Sequence, residues 1–113
     1  MDNKEFWTAV DKLVSESKIV IDRPKGSNHP KYPDFIYPVD YGYLDKTTSH
    51  DGEGIDVWCG SGKTGANAII CTVDLYKRDS EIKILLGCNE EEIKLIYDKT
   101  NDSDLMKGIL IRR

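Results

Sequence analysis

Ala68-Ile69-Ile70-Cys71-Thr72-Val73-Asp74-Leu75-Tyr76-Lys77-Arg78-Asp79-Ser80-Glu81-Ile82-Lys83-Ile84-Leu85-Leu86 decides the fold class. It holds two apolar runs, 68–76 and 81–86, joined by the tight polar turn Lys77-Arg78-Asp79-Ser80. Runs of this length bounded by a turn read as a β-hairpin. Upstream, Ile55-Asp56-Val57-Trp58-Cys59 is a further short strand, and Ser61 to Asn67 a turn rich in Gly, Ser and Asn. Phe35 to Leu44 is extended but carries Pro38, which has no N–H to give a ladder and so predicts an edge or a bulge. Lys18-Ile19-Val20-Ile21-Asp22 is strand-like, and the proline-rich stretch 23–33 reads as an ordered loop.

The two ends read as helices. Phe6, Val10, Leu13 and Val14 fall at i, i+4, i+7 and i+8, a stripe that needs another surface to cover it. Trp7 widens it, and Asp2 or Asn3 can cap its start. Asn89-Glu90-Glu91-Glu92 opens a second helix, with Asn as cap and three carboxylates at the positive end of the dipole. Ile93, Ile96 and Tyr97 form its apolar face, Asn101 to Asp104 breaks it, and Ile109-Leu110-Ile111 reads as a closing strand. Five or six short strands without a βαβ rhythm predict a mainly β fold, a small antiparallel sheet or barrel with helices outside.

The 113 residues predict one domain spanning 1–113. Sixteen Lys and Arg against 20 Asp and Glu leave a net charge of −4. An acidic chain without a basic stripe argues against nucleic acid as a partner. The longest apolar runs fall far short of the ~20 residues that cross a bilayer, and residues 1–10 lack the apolar core of a signal peptide. The expectation is no membrane association and a cytoplasmic location. Cys59, Cys71 and Cys88 agree with it, being too few and too far apart for a disulfide framework or a CxxC zinc site.

Gly60-Ser61-Gly62-Lys63-Thr64-Gly65 looks like a phosphate-binding P-loop. The glycine that motif requires five residues before Gly62 is replaced by Val57, and the alternation of strands and helices that surrounds a P-loop is missing. The stretch reads as a hairpin turn.

Asp51-Gly52-Glu53-Gly54-Ile55-Asp56 carries more chemistry. Three carboxylates lie within six residues, and Gly52 and Gly54 allow the tight backbone that would converge them. Converging carboxylates repel one another unless a cation sits between them. Mg²⁺ suits oxygen donors and leaves room for water or phosphate oxygens. Tyr37, Tyr41 and Tyr43 stand nearby in sequence, and Lys25, Lys31 and Lys83 lie on other segments. Phenols, ammonium groups and carboxylates together describe a site for a small, highly charged oxyanion.

Four blocks in order resemble the soluble inorganic pyrophosphatases of the Mg²⁺-dependent barrel type: Ile19–Ser27, Lys31-Tyr32, Tyr37-Pro38-Val39-Asp40-Tyr41-Gly42-Tyr43, and Asp51–Val57. They cover residues 19–57, and a weaker match runs on to about Lys83. The resemblance implies a five-stranded antiparallel barrel (OB-like) with one helix near each end. It implies hydrolysis of the small molecule pyrophosphate to two phosphates with Mg²⁺ as cofactor, by a homo-oligomer. Asp51, Glu53, Asp56, Asp22 and Glu81 stand at metal positions. Glu53, where the family usually has Asp, stands at the proposed general base, and Asp22 stands where Glu is usual. Lys31, Tyr37, Tyr41 and Lys83 match substrate-binding positions, with Tyr41 and Lys83 also at the reacting centre beside Glu53 and Asp56. Tyr97 with Lys99 stands for a late Tyr-Lys pair, and Asp79 is the nearest residue to a further metal Asp. The family's insertion between the lysine and Tyr-Pro blocks, with its phosphate-binding Arg, is missing; Arg23 or Arg78 is the candidate replacement. That loss and the longer Glu53 also admit a non-catalytic phosphate- or metal-binding protein, or a hydrolase of another phosphoanhydride.

Overall fold

The computed structural model describes residues 2–50 and 52–113. Its elements are α1 (Lys4–Ser15), β1 (Ile19–Arg23), β2 (Asp40–Leu44), β3 (Ile55–Cys59), β4 (Ala66–Asp74), β5 (Asp79–Leu86), α2 (Glu90–Thr100) and β6 (Met106–Arg112). The strands form one six-stranded sheet in the order β1-β2-β3-β5-β4-β6.

This corrects the expected five-stranded antiparallel barrel. The sheet is mixed, because β3 and β5 run parallel with Val57 opposite Ile84. It is also open, with β1 and β6 as edges among the described residues. The cause is the glycine-rich link 60–65, which is a crossover and not a hairpin turn. Gly60 N–H donates to Leu86 O, Gly62 N–H to Gly87 O, and Gly87 N–H to Gly65 O. The link is thus fastened across the end of β5, and β4 begins on its far side. A side chain would block the crossing: a Cβ on Gly60 would sit 2.5 Å from Gly87 O. The hairpin β4–β5 matches the sequence reading, with β5 starting two residues earlier. Its turn is held by Asp74, whose carboxylate accepts from Tyr76 N–H and Lys77 N–H.

Each face of the sheet carries one helix, as the strand alternation requires. On β5, Leu85 joins Val39, Trp58, Ile70, Ile93 and Ile96 beneath α2. Its neighbour Ile84 joins Trp7, Val10, Leu44, Val57 and Ile69 beneath α1. At the start of α1 the N-cap Asn3 makes no side-chain capping bond, and the Asp2 carboxylate just before it accepts from Lys4 N–H at 3.2 Å. Phe6 stays 43% exposed and lies outside the buried core, as does Tyr97 on α2 at 41%, against its expected place on the apolar face. Asn89 and Glu92 form a capping box at the start of α2. Pro38 marks neither an edge nor a bulge: it precedes β2, which is paired on both sides. The bulge falls instead in β1, between Ile21 and Arg23. Among the described residues no helix is long and apolar enough to cross a membrane.

Candidate active site

The bulge in β1 brings Arg23 opposite Tyr41 of β2. A bulge adds one residue to a strand and re-aims the next side chain. Here the Arg23 guanidinium reaches the Tyr37 hydroxyl, donating from Nη1 at 2.6 Å, and lies 5.7 Å from the Tyr37 ring centroid. Tyr37 itself is buried, and its ring stands 5.2 Å from that of Tyr41. Trp58 closes the aromatic group at 4.5 Å from Tyr41 and 5.8 Å from Tyr37.

Beside these rings lies a charged cluster built on three strands. Period-2 alternation places Asp56 and Trp58 of β3 on one face, and Glu81, Lys83 and Leu85 of β5 on one face. The parallel pairing then sets Asp56 next to Lys83. The Lys83 ammonium donates to the Tyr41 hydroxyl at 2.6 Å and to Asp56 Oδ2 at 3.1 Å, with Glu81 Oε2 at 3.4 Å. Its side chain is only 14% exposed. Burial disfavours the ammonium, but the phenol and the two carboxylates outweigh that, and the Lys83 pKa lies above the usual lysine value. Burial pushes the Tyr41 phenol well above its usual value too, so Tyr41 is a neutral hydroxyl at neutral pH.

A loop closes over this face between Arg23 and Tyr37. His29 Nδ1 accepts from Lys31 N–H at 3.0 Å and from Tyr32 N–H at 3.3 Å, and Asn28 bridges to Ile36. The imidazole is near-parallel to Tyr37, with ring centroids 6.3 Å apart. Burial, then the charges of Arg23, Lys77 and Lys31, lower the His29 pKa. Lys99 of α2 reaches the same loop, 4.9 Å from the Phe35 ring centroid.

The structure thus brings together Arg23, Tyr37, Tyr41, Asp56, Glu81 and Lys83 of the expected site residues. Asp22 is exposed at the bulge, close enough to act electrostatically on Tyr37. Lys31 is an exposed residue of the covering loop. Glu53 is exposed in a loop tied by its own carbonyl, which accepts from Ser49 N–H and Ser49 Oγ. Asp51 lies outside the described residues. Arg78 occupies the β4–β5 turn with φ 59°, and Asp79 pairs with Asp74 across the hairpin. Tyr97 and Lys99 belong to α2, where Lys99 is paired with Asp102. Trp58 and His29 were not singled out from sequence. The period of β3 carried a signal for Trp58, two residues after Asp56; nothing in the spacing marked His29.

Among the described residues, no three His, Cys, Asp or Glu side chains are gathered to hold a metal ion. Asp56 and Glu81, both aimed at one ammonium, are the nearest approach. Mg²⁺ is ordinarily held by one or two protein carboxylates, with phosphate and water completing its shell. In donor type and number, these two carboxylates fit that cation. The P-loop-like stretch fits no phosphate. Besides the Gly60 and Gly62 donors tied to β5, Ser61 N–H is given to the Glu92 carboxylate at 3.0 Å.

A mixed six-stranded sheet with a helix on each face defines the class of fold. A solved structure shares it: an inorganic pyrophosphatase from Neisseria gonorrhoeae superposes with a TM-score of 0.67 over 83% of this chain and 80% of that one, at 17% identity. No protein-family model matches the chain, and no curated protein matches it by sequence. The likeness is one of fold.

Proposed function

We propose that the chain hydrolyses inorganic pyrophosphate. The observation that carries this reading is Lys83 held between Tyr41, Asp56 and Glu81, within a fold shared with an inorganic pyrophosphatase. Hydrolysis adds a water oxygen to one phosphorus and breaks its bond to the bridging oxygen. Charge develops on the phosphoryl oxygens, and preorganised cations and hydroxyls lower that barrier most. Lys83 and Arg23 supply the fixed charge, Tyr37 and Tyr41 supply hydroxyls, and Lys31, exposed on the loop, would add a further ammonium. Glu53, which the sequence resemblance puts at the general base, would have to accept the proton of the attacking water from its exposed loop, and Lys83 with Arg23 would stabilise the departing phosphate. Asp56 and Glu81 would hold Mg²⁺; Glu53, Asp51 and Asp22 are the further donors that the sequence resemblance implies, but among the described residues Glu53 and Asp22 are not gathered with that pair. When bound, that ion neutralises phosphoryl charge and acidifies water.

Phosphate release from pyrophosphate with Mg²⁺ is the test. Turnover is expected, falling by about 100-fold or more in Asp56→Asn, the scale on which loss of one fixed electrostatic group acts. Release at background level across pH and divalent metals would refute the proposal. Turnover only with nucleotides would move the activity to another phosphoanhydride.

One observation favours a second reading, a phosphate-binding protein without turnover. Lys83 engages both Asp56 and Glu81, so its ammonium competes with a metal for the same oxygens. Calorimetry separates the two: pyrophosphate binding without phosphate release selects the second.

A further inference from the structure

His29 is the residue of the covering loop that the cluster chemistry leaves unexplained. Its Nδ1 accepts two backbone N–H groups of its own loop, so this nitrogen carries no proton and the neutral ring bears its hydrogen on Nε2. Among the described residues, Nε2 makes no hydrogen bond within the protein. The ring is stacked beside Tyr37, the residue that Arg23 bonds. Arg23, Lys31 and Lys77 lie near enough to act on it electrostatically. A neutral N–H donor of fixed tautomer, among three cations, suits an oxyanion: it adds a directed bond without adding charge.

We propose that His29 is a substrate-positioning residue whose Nε2–H donates to a phosphoryl oxygen of the anion held by Arg23 and Lys31. This rests on the reading of the face as a phosphate site. It adds a ligand-contacting group whose backbone anchoring also sets the shape of the loop.

Two substitutions separate contact from scaffolding. His29→Asn places Oδ1 where Nδ1 stands, keeping the loop anchor and losing the distal donor. His29→Gln extends an amide N–H towards the Nε2 position and loses the anchor. Calorimetric titration with inorganic phosphate and with pyrophosphate is the measurement, since binding is read without turnover. His29→Asn is expected to weaken binding by about tenfold or more, the scale of one hydrogen bond to a charged group, and to keep its melting temperature. His29→Gln should bind more tightly than His29→Asn. In wild type, the His29 Nε2 ¹⁵N resonance should shift on adding phosphate while Nδ1 stays that of an unprotonated acceptor. The reverse order of the two variants, or an Asn variant that binds as wild type, overturns the proposal, and so does a wild type that binds neither anion. Failure of hydrolysis alone, with these binding differences intact, would overturn the enzymatic reading and leave His29 as an anion contact.

Discussion

Lys83 has three partners, and each sets a different consequence for its loss. Tyr41 donates no charge, whereas Asp56 and Glu81 become neighbouring carboxylates without their cation when Lys83 is removed. Lys83→Met should therefore abolish phosphate release and cost about 1–3 kcal/mol in urea unfolding, the cost of taking the ammonium away from partly buried carboxylates. Tyr41→Phe removes one hydrogen bond and should cost about 1 kcal/mol. The pair also predicts a pH dependence. Lys83 has a folded pKa above its ordinary 10.5, so its stabilisation is complete below that pH and is lost as pH rises through the folded value. Tyr41 has a folded pKa above its ordinary 10.0, so above that pH the unfolded chain releases a proton that the folded chain retains. Both act in one direction. The urea midpoint should be flat through neutral pH in respect of this pair and fall above about pH 10, less steeply in Tyr41→Phe. Tyr41, Asp56 and Lys83 could be picked from sequence as phenol, carboxylate and ammonium, whereas Glu81 entered only through the family resemblance. Their pairing could not: that Asp56 faces Lys83 depends on β3 and β5 being parallel neighbours, which no local pattern encodes.

Among the elements, the link 60–65 was the one most misread, and its glycines explain why. Gly60, Gly62 and Gly65 look alike in sequence, but they meet different surroundings. A Cβ on Gly60 would press on Gly87 O and on Cys88 Cα at 2.6 Å, while one on Gly65 would meet nothing within 4 Å. Gly60→Ala should destabilise by about 1–3 kcal/mol as the crossover is forced off β5. Gly65→Ala should stay within about 0.5 kcal/mol of wild type. Lys63→Ala should leave phosphate binding unchanged, because the neighbouring backbone donors are already committed to β5 and Glu92. Chemical denaturation and phosphate calorimetry check all three. The start of α2 was plain from sequence, since Asn89 followed by Glu92 has a local cause. Its capping bonds, Glu92 N–H to Asn89 Oδ1 at 2.8 Å and Asn89 N–H to Glu92 Oε1 at 2.9 Å, predict a loss of about 1 kcal/mol in Asn89→Ala. The same Glu92 receives Ser61 N–H, so one carboxylate ties the start of the helix to the link. That tie was invisible beforehand because its partners are 31 residues apart.

For the molecule as a whole, strand content, one helix towards each end and the β4–β5 hairpin followed from period and turn chemistry, which are local. Strand order, openness and the parallel pair are set by which edge the crossover passes, and hydrophobic pattern is the same either way. The resulting sheet is shared by two cores, and this has a testable consequence. Trp7 lies in the core beneath α1, and Trp58 in the core beneath α2. Neighbouring residues of β5, Ile84 and Leu85, belong one to each. Neither layer can separate from the sheet without exposing the backs of strands that support the other. Residues 2–50 and 52–113 should therefore unfold as one cooperative unit. The variants Trp7→Phe and Trp58→Phe each leave a single fluorescent reporter, in opposite layers. Their urea transitions, each normalised to circular dichroism of the same variant, should coincide with the loss of secondary structure. A Trp7 signal that changes well before the circular dichroism of its own variant would mean that α1 detaches first. The site would then depend on β1–β5 and α2 alone, and destabilising α1, for example by Val10→Ala, would lower the melting temperature and leave phosphate binding untouched. With a single transition, Val10→Ala should instead lower both together once the folded population itself falls.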